Sequence, residues 1–309
     1  MAVTALVKPQ VSVVLPYYEG EKWLLRSVNS VLSQGDVTRE LIVVDDGSSQ
    51  SPIPVLQAIQ SDSLRLIRID HAGKGAALNK GVSDAKADLV CFIDQDDIMN
   101  PGRLKLQYNA FLDHPQTDVV YSDYERVYDD GRLIDHFISH QATNRECLKS
   151  MARSTGLISM QTIMIKRSTF HEIGGFSNDI QLTGLDDAEF FVRLFASAAV
   201  LKYVPGIVQK WVLHGQNYSE SADFQQTRLI LLKYLSNYAI NNQSIREILP
   251  YFQYHAFFMR GLFYLERGLT DQAMHEFLKA VRVRPLNLNG YYLLLKSWTK
   301  KMSPCKFNR

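Results

Sequence analysis

The chain has 309 residues, of which 46% are hydrophobic and 21% are charged, and its formal net charge is +2. These values are typical of a globular protein with one large or two smaller domains, and they give no reason to expect a nucleic-acid partner. Its three cysteines form neither a metal-binding pattern nor an even disulfide framework, which fits a reducing compartment. We find no signal-peptide core and no apolar run of the ~18 residues that a membrane span needs. We therefore expect a cytoplasmic protein that is at most peripheral at the inner face of the membrane.

The first hundred residues alternate predicted strands with predicted helices. Apolar runs predict strands at 11–15, 41–44, 64–69 and 89–93. Helical spacing predicts helices at 19–33, 54–61 and 76–87, with a loop at 71–75 between them. Such alternation predicts βαβ units, an α/β fold and a mostly parallel sheet flanked by helices.

The pattern changes after residue 113. Further strands are predicted at 118–122, 162–165, 200–204 and 208–213, and Asp129-Asp130-Gly131 predicts a hairpin turn. A helix that opens near Leu185 is expected to bury Phe190 and Leu194. From about residue 221 onward only helix is predicted.

Three carboxylates follow the strand at 89–93, and these are Asp94, Asp96 and Asp97. Like charges this close repel one another, and a hard divalent cation such as Mg²⁺ or Mn²⁺ would relieve the repulsion. Open α/β sheets also bind their ligands at the carboxyl ends of strands. The alternative is a solvated loop in which Asp97 caps a helix that begins near Pro101.

Two other polar runs follow strands in this half. Asp45-Asp46-Gly47-Ser48 is either turn and N-cap chemistry or a nucleotide site, because a carboxylate there can accept a uracil N–H or a ribose hydroxyl. Lys74 lies between two glycines but in neither a P-loop nor a dinucleotide fingerprint. It either reaches a diphosphate or is a solvated loop lysine.

Acidic and imidazole groups recur in the second half. Asp186, Asp187 and Glu189 open a helix, where one acid caps the helix and a surplus carboxylate is a candidate general base. His214 begins the run HGQNYS after a strand. It is either structural or borders a cleft, where it would touch a diphosphate or complete the metal site.

The order and spacing of these motifs across residues 10–220 resemble family 2 glycosyltransferases of the GT-A fold. The matching segments are VSVVLPYY at 11–18, SVLSQ at 30–34, ELIVVDDGS at 40–48, ALNKG at 77–81, FIDQDD at 92–97, LDDAE at 185–189 with Arg193, and HGQNYS at 214–219. The resemblance implies a glycosyltransferase domain at 1–220, with a nucleotide-binding half at about 10–122 and an acceptor half at 123–220.

The resemblance also implies roles for particular residues. Donor binding falls to Pro16, Tyr18, Asp45, Asp46, Asp94 and Asp96, and Lys74 is added to them as the loop lysine that could reach the diphosphate. A divalent cation, Mn²⁺ or Mg²⁺, would be held by Asp96 or Asp97 together with His214. Asp187 would be the catalytic base, with Asp186 and Glu189 as secondary groups toward the acceptor. Asp186 stands where many relatives have Glu, which blurs which of the two acids does the chemistry.

The reaction that the resemblance implies is an inverting transfer of a sugar, expected to come from a UDP-sugar, to an acceptor hydroxyl. The acceptor would be a glycan or a lipid-linked molecule in cell-surface glycan synthesis. The Gln-x-x-Arg-Trp motif of processive synthases is absent, and Gln209-Lys-Trp211 is only a partial echo, so one sugar per encounter is expected.

Two other functions were weighed against sugar transfer. A nucleotidyltransferase would carry a Gly-rich loop where Pro16-Tyr17-Tyr18 stands. A catalytically silent nucleotide-sugar-binding or interaction protein is disfavoured by the intact set of acids.

The tail, residues 221–309, is predicted to be a helical extension. Residues 254–287 resemble one tetratricopeptide repeat, in which small Gly261 and Ala273 would permit close helix contact; the alternative is an ordinary helical hairpin. One repeat cannot bury its own face, so it should pack on a helix at 225–240 or at 291–298. The basic end is a solvated tail, or the extension contacts a protein partner or a membrane surface.

Overall fold

The computed structural model describes residues 8–35, 37–153, 156–214 and 223–302. The chain divides into two compact units, one formed by residues up to 147 with 157–217 and the other by 148–156 with the residues from 218 onward. Residues 215–219 of the predicted HGQNYS run lie outside the described residues.

The first unit is built on one mixed sheet. Within the described residues its strands are β1 (Val11–Tyr17), β2 (Arg39–Asp46), β3 (Leu64–Ile69), β4 (Leu89–Phe92), β5 (Ile98–Met99), β6 (Val119–Tyr128), β7 (Leu133–Phe137), β8 (Ile163–Lys166) and β9 (Leu201–Leu213). The helices are α1 (Glu21–Leu32), α2 (Ile53–Gln57), α3 (Lys74–Ser83), α4 (Arg103–Asp113), α5 (Asn144–Ala152), α6 (Arg167–Glu172) and α7 (Asp186–Phe195). Only the first residues of α5 belong to this unit, because residues 148–152 are part of the second unit. Single 3₁₀ turns occur at Met160–Thr162 and Ile180–Leu182.

The strand order is β3-β2-β1-β4-β8-β6-β9-β5, with β7 paired to β6. The first four strands in this order are parallel, with Val13 opposite both Leu41 and Cys91. β8 joins β4 antiparallel, so the predicted α/β class is confirmed while the complete sheet is mixed. Cys91 is fully buried, as predicted for a thiol inside this strand.

The helices α1 and α3 cover the parallel strands. Leu24, Val28 and Val31 of α1 recur at helical spacing and are all buried. The predicted close packing of α3 is present at Gly81, because a Cβ there would overlap the Val14 side chain of β1. Since β1, β2 and β4 run in one direction, their carboxyl ends and the first turn of α3 lie at one edge of the sheet.

Three predictions about individual elements are wrong. Lys74 is the first residue of α3 rather than part of a loop, because Gly73 turns the chain into the helix with a φ of +93°. Asp97 does not cap the next helix, which begins at Arg103 after Gly102. Neither Asp186 nor Asp187 occupies the N-cap of α7, which is Leu185.

The strands predicted at 200–204 and 208–213 form the single strand β9. The Pro205-Gly206 pair between them suggested a break. The pairing of β9 with β6 shifts register there, and Asp123 of β6 accepts hydrogen bonds from the Gly206 N–H and the Tyr203 hydroxyl. A side chain thus supplies the partners that the interrupted ladder lacks.

The second unit contains α8 (Asp223–Asn241), α9 (Gln243–Glu266), α10 (Thr270–Val283) and α11 (Leu288–Met302). The predicted contact at Gly261 is present, since a Cβ there would overlap the Phe277 ring. Leu265, Ala273 and Phe277 form the core of the α9–α10 hairpin, with Leu293 and Leu294 of α11 packed against it. In the described ranges, every helix is too short or too polar to cross a bilayer.

Candidate donor and catalytic site

Asp94, the first acid after β4, is held by two side chains from other parts of the chain. The Lys74 ammonium lies 2.7 Å from its Oδ1 and 2.9 Å from its Oδ2. The amide of Gln161, in the 3₁₀ turn before β8, donates to Oδ2. Asp94 is therefore fixed between the start of α3 and the start of β8.

Gln95 ties the acidic run to the end of β1. Its Oε1 accepts the Tyr18 N–H at 2.8 Å, and its Nε2 donates to the Tyr18 carbonyl at 3.0 Å. A side chain at Gly20 would overlap Gln95, so this glycine makes room for the contact. The hydroxyl of Ser27 on α1 lies 2.7 Å from the carbonyl oxygens of both Gln95 and Asp97. The loop that carries the acids is thus anchored to β1 and α1.

Asp96 meets His214, which follows β9. Nε2 of His214 lies 2.9 Å from Oδ2 of Asp96, and the imidazole stacks on the Trp23 indole with ring centroids 4.1 Å apart. Burial and the neighbouring Asp94 charge raise the pKa of Asp96, although the contact with His214 acts in the opposite direction. A carboxylate and an imidazole therefore lie side by side, and α1 supports one face of the imidazole.

Asp97 is turned away from this pair and toward β9. It is buried, and its Oδ1 accepts the Val212 N–H at 3.0 Å. Its Oδ2 is buried without a hydrogen-bond partner in the described part of the chain. Burial and then the charges of Asp96 and Asp94 raise the pKa of Asp97 well above its ordinary value.

Asp186 and Asp187 lie in the first turn of α7. Oδ1 of Asp187 accepts the Ala188 N–H at 2.7 Å, and Oδ1 of Asp186 accepts the Gly184 N–H at 3.2 Å. Burial, followed by the charge of Asp186, raises the pKa of Asp187 to about 6. Burial also raises the pKa of Asp186, whose Oδ2 is buried without a partner among the described residues.

Lys74 brings the acids of α7 and β4 into one electrostatic cluster. Burial alone would lower the pKa of Lys74, but the charges of Asp94, Asp186 and Asp187 outweigh burial and raise it. Asp94 in turn raises the pKa of both α7 acids. Groups that are far apart in sequence are therefore close enough to affect one another's charge at the carboxyl edge of the parallel strands.

The β2 acids are engaged with neighbouring loops. Asp45 accepts the Ser48 N–H, the predicted turn chemistry, and its other oxygen pairs with Arg68 at 2.7 Å. Asp46 accepts the N–H groups of Ala72 and Gly73 at 2.8 and 2.9 Å. Asp46 therefore fixes the chain that leads into Lys74.

The two residues predicted to line the base and ribose pocket differ in exposure. Tyr18 is exposed, and its ring stacks on His71 with centroids 4.4 Å apart. Nδ1 of His71 lies 3.0 Å from Oδ2 of Asp46. Pro16 is buried in β1, opposite Val44. The exposed Tyr18 ring is thus linked through His71 to the buried carboxylate of Asp46 at the end of β2.

Two residues from the predicted motifs are buried and bind other side chains of the core. Glu189 is fully buried and makes a two-pronged ion pair with Arg193, which also donates to the Gly175 carbonyl. Gln209 is buried, and its Oε1 accepts from the buried Arg103 at 2.8 Å. Gln209, the first residue of the segment that partly resembles the processive motif, therefore contributes to the core.

Sequence reasoning assigned no site role to Gln95, Gln161, His71 or Trp23. Gln95 lies inside the quoted acidic run, so its position alone was a signal. Gln161 lies in a stretch with no diagnostic pattern, and Trp23 has the spacing of an ordinary core residue. Their contacts depend on tertiary structure, which local sequence does not encode.

The geometry fits a cation held by two side chains. Among the described residues, no group of three or more His, Cys, Asp or Glu side chains could by itself hold a metal ion. The predicted trio therefore does not form a self-contained site, because Asp97 is directed at β9 while Asp96 and His214 meet. Mg²⁺ is usually bound through one or two carboxylates and completes its shell with water and substrate phosphates. Asp96 offers one such carboxylate, and the His214 imidazole lies beside it.

Comparison with known proteins bears on the family of the chain. Residues 12–176, more than half of the chain, match the model of the family described as "Glycosyl transferase family 2". The chain belongs to glycosyltransferase family 2. The GT-A fold and the family predicted from the motifs are therefore confirmed.

Curated relatives of this family 2 chain are longer proteins. An uncharacterized glycosyltransferase of Rickettsia bellii is 28% identical over 197 residues, which cover 62% of this chain. The hyaluronan synthase of Pasteurella multocida is 26% identical over 252 residues, or 81% of this chain. The chain spans only 28% and 24% of the lengths of these two relatives.

Solved structures share the fold. S. aureus TarS 1–349 in complex with UDP-GlcNAc has a TM-score of 0.67 and 18% sequence identity, covering 95% of this chain and 88% of that chain. The likeness supports the fold of this family 2 chain and does not by itself define its substrate.

Proposed function

We propose that this family 2 glycosyltransferase transfers one sugar from a UDP-sugar to an acceptor hydroxyl with inversion at the anomeric carbon. The observation that carries the proposal is the cluster of Lys74, Asp94 and Asp187 at the carboxyl edge of the parallel strands. A cation beside buried carboxylates suits a substrate that has both an anionic diphosphate and a hydroxyl to be deprotonated.

Donor binding would use the surface at the ends of β1 and β2. The exposed Tyr18 ring offers an aromatic face to the base, and Asp45 and Asp46 lie beside it at the end of β2. The Lys74 ammonium would contact the diphosphate, and Asp94 would orient Lys74 or accept from the ribose. Pro16, buried beneath this surface, would support the pocket.

Asp187 would act as the base. It takes the proton of the acceptor hydroxyl while that oxygen attacks the anomeric carbon, and the bond from that carbon to the diphosphate oxygen breaks. UDP departs with the bonding electron pair. A pKa of about 6 keeps Asp187 mostly ionised near neutrality yet basic enough to receive the proton. Asp186 would shape the acceptor side of α7, whereas the predicted acceptor role of Glu189 is not supported, because Glu189 is buried in its ion pair with Arg193.

Asp96 and His214 would hold Mn²⁺ or Mg²⁺, with Asp97 behind them. When bound, the cation supplies positive charge that offsets the charge developing on the departing diphosphate. Asp97 would keep the acidic loop against β9 through its bond to Val212.

The proposal also includes the roles of the domains and the class of acceptor. Residues 1–220 would form the transferase domain, with 10–122 binding the nucleotide and 123–220 meeting the acceptor, and 221–309 would be an extension. Relatives named as hyaluronan and chondroitin synthases support an acceptor in cell-surface glycan synthesis. The missing processive motif favours one sugar per encounter.

The test is UDP release from a panel of UDP-sugars, with glycan acceptors and with or without Mn²⁺. Asp187→Asn should lower turnover by roughly 10²–10⁴-fold, the usual contribution of general-base catalysis. Binding of the donor, followed as a thermal shift with UDP-sugar, should survive in the variant. Asp130→Asn makes the same chemical change in the exposed β6–β7 turn and should leave turnover unchanged.

Full turnover in Asp187→Asn would refute the role of Asp187 as base. A wild-type protein that binds UDP-sugar but releases no UDP with any acceptor would instead favour the silent binding protein.

A further inference from the structure

The terminal helix α11 has two unlike faces. Its inner face carries Gly290 and Ser297, which are buried, and Leu293 and Leu294, which pack against the α9–α10 core. Its outer face carries large apolar side chains that are exposed, and these are Leu288, Tyr291, Tyr292, Leu295 and Trp298. Their spacing places them on one stripe of the helix, opposite the inner face.

The outer stripe is a continuous patch. Leu288 is 78% exposed, Leu295 is 59% exposed and Trp298 is 49% exposed, and Leu286, just before the helix, is 95% exposed. Single exposed apolar residues are common on soluble proteins, but contiguous exposed apolar patches mark interaction surfaces. The outer stripe therefore needs a partner that accepts apolar and aromatic side chains.

Positive charge in the same part of the sequence selects that partner. From residue 277 to the last residue printed, the sequence has no Asp or Glu but has eight basic residues: Lys279, Arg282, Arg284, Lys296, Lys300, Lys301, Lys306 and Arg309. The formal charge of the complete chain is only +2, so positive charge is concentrated in this segment. Lys296 is exposed on α11 itself, one position after Leu295.

We propose that the outer stripe of α11 docks on an anionic membrane surface. Tyr and Trp rings favour the zone between headgroups and acyl chains, where an apolar body and a polar edge are both satisfied. Basic side chains beside the stripe would pair with anionic headgroups. A second copy of this chain fits less well, because a symmetric contact through the stripe would bring two basic segments together.

The test is co-sedimentation of the full chain with vesicles of phosphatidylcholine, with and without phosphatidylglycerol. Binding should require the anionic lipid and weaken with added salt, because screening removes the attraction between charges. Trp298→Ser should weaken vesicle binding by about tenfold, since it removes the indole ring that would be buried in the membrane when the stripe binds. Lys296→Glu should weaken binding at least about fivefold by losing one attractive charge and adding a repulsive one.

Matched controls lie on α8 of the same unit. Ile240→Ser removes an exposed apolar side chain, and Lys233→Glu makes the same charge reversal, both away from the outer stripe. Both controls should bind vesicles like the wild type, and circular dichroism should show that all four variants remain folded.

Several results would overturn the proposal. Equal binding to neutral and anionic vesicles, or no binding to either, would contradict it. So would unchanged binding in Trp298→Ser, or an equal loss in Lys233→Glu, which would make net charge alone responsible. A dimer seen by sedimentation velocity that Trp298→Ser dissociates, without vesicle binding, would assign the stripe to a second copy instead.

Discussion

The Lys74 ammonium lies 2.7 Å from Oδ1 of Asp94, and this pair joins the first turn of α3 to the end of β4. The same ammonium is stabilised in its charged form by Asp186 and Asp187 of α7. One cation therefore balances carboxylates that come from separate elements. The stability and the chemistry of the site should both respond to its removal.

Lys74→Met should lower the free energy of unfolding by about 1–3 kcal/mol near neutral pH, because it leaves partly buried carboxylates without their cation. The loss should shrink at about pH 5, because Asp187, whose pKa is raised to about 6, is then mostly protonated and needs the cation less. Urea unfolding at the two pH values measures both effects.

The control for Lys74→Met is Lys80→Met on the same helix. Lys80 pairs with Asp84 at 2.9 Å on an exposed surface, and such pairs contribute only about 0.3–0.5 kcal/mol. Equal losses in the two variants would mean that Lys74 is an ordinary surface ion pair.

As the proposed base, Asp187 should set a pH dependence of catalysis. Since burial and Asp186 raise its pKa to about 6, the fraction of ionised base, and with it kcat/KM for UDP release, should fall as the pH is lowered through 6. Lys74 lowers the pKa of Asp187, so Lys74→Met should move the midpoint of the profile to higher pH. A wild-type profile that is flat from about pH 5 to 7 would exclude Asp187 as the titrating base.

Ionisation of Asp187 should also lower the free energy of unfolding. Its pKa is raised from 3.8 to about 6 on folding, so the folded protein holds this proton more tightly than the unfolded chain does. The cost is absent below pH 3.8 and complete above pH 6. Asp187→Asn should therefore stabilise the protein by about 1–3 kcal/mol near pH 7.5 and change little near pH 4. A variant less stable than the wild type at pH 7.5 would contradict this account.

His214 provides the test of the metal site. Chelation of divalent cations should abolish UDP release, and added Mn²⁺ should restore it. His214→Ala should raise the Mn²⁺ concentration for half-maximal rate at least about tenfold, because one of two protein ligands is lost. His171→Ala, at an exposed position on α6, is the control and should leave that concentration unchanged. Full activity of the wild type in excess chelator would refute the metal assignment.

The parallel strands and the acids at their ends could be predicted from the sequence. A buried parallel strand is a continuous apolar run, and polar residues directly after it must lie at the carboxyl edge. For this reason Asp46 and Asp94 were recognised before their contacts were known. The α7 acids needed the family resemblance, because the first turn of a helix often carries Asp without any catalytic role.

The partners of those acids could not be predicted in the same way. Gln161 reaches Asp94 from a segment without periodicity, and Asp97 differs from Asp96 only in its direction in space. The single strand β9 was missed because Pro205 and Gly206 usually end a strand, and the compensating carboxylate of Asp123 lies about 80 residues earlier. Long-range hydrogen bonds of this kind leave no local pattern.

The two hydrogen bonds that Gln95 makes with the backbone N–H and the carbonyl of Tyr18 explain why the acidic run contains one neutral residue. A primary amide offers a donor and an acceptor at once, as a backbone peptide does, whereas a carboxylate can only accept. The Gln95 side chain thus adds one further pair of sheet-like hydrogen bonds beyond the last paired residues of β1 and β4. Replacing it by Glu would add a fourth negative charge and would also remove the hydrogen bond that Gln95 donates to the Tyr18 carbonyl.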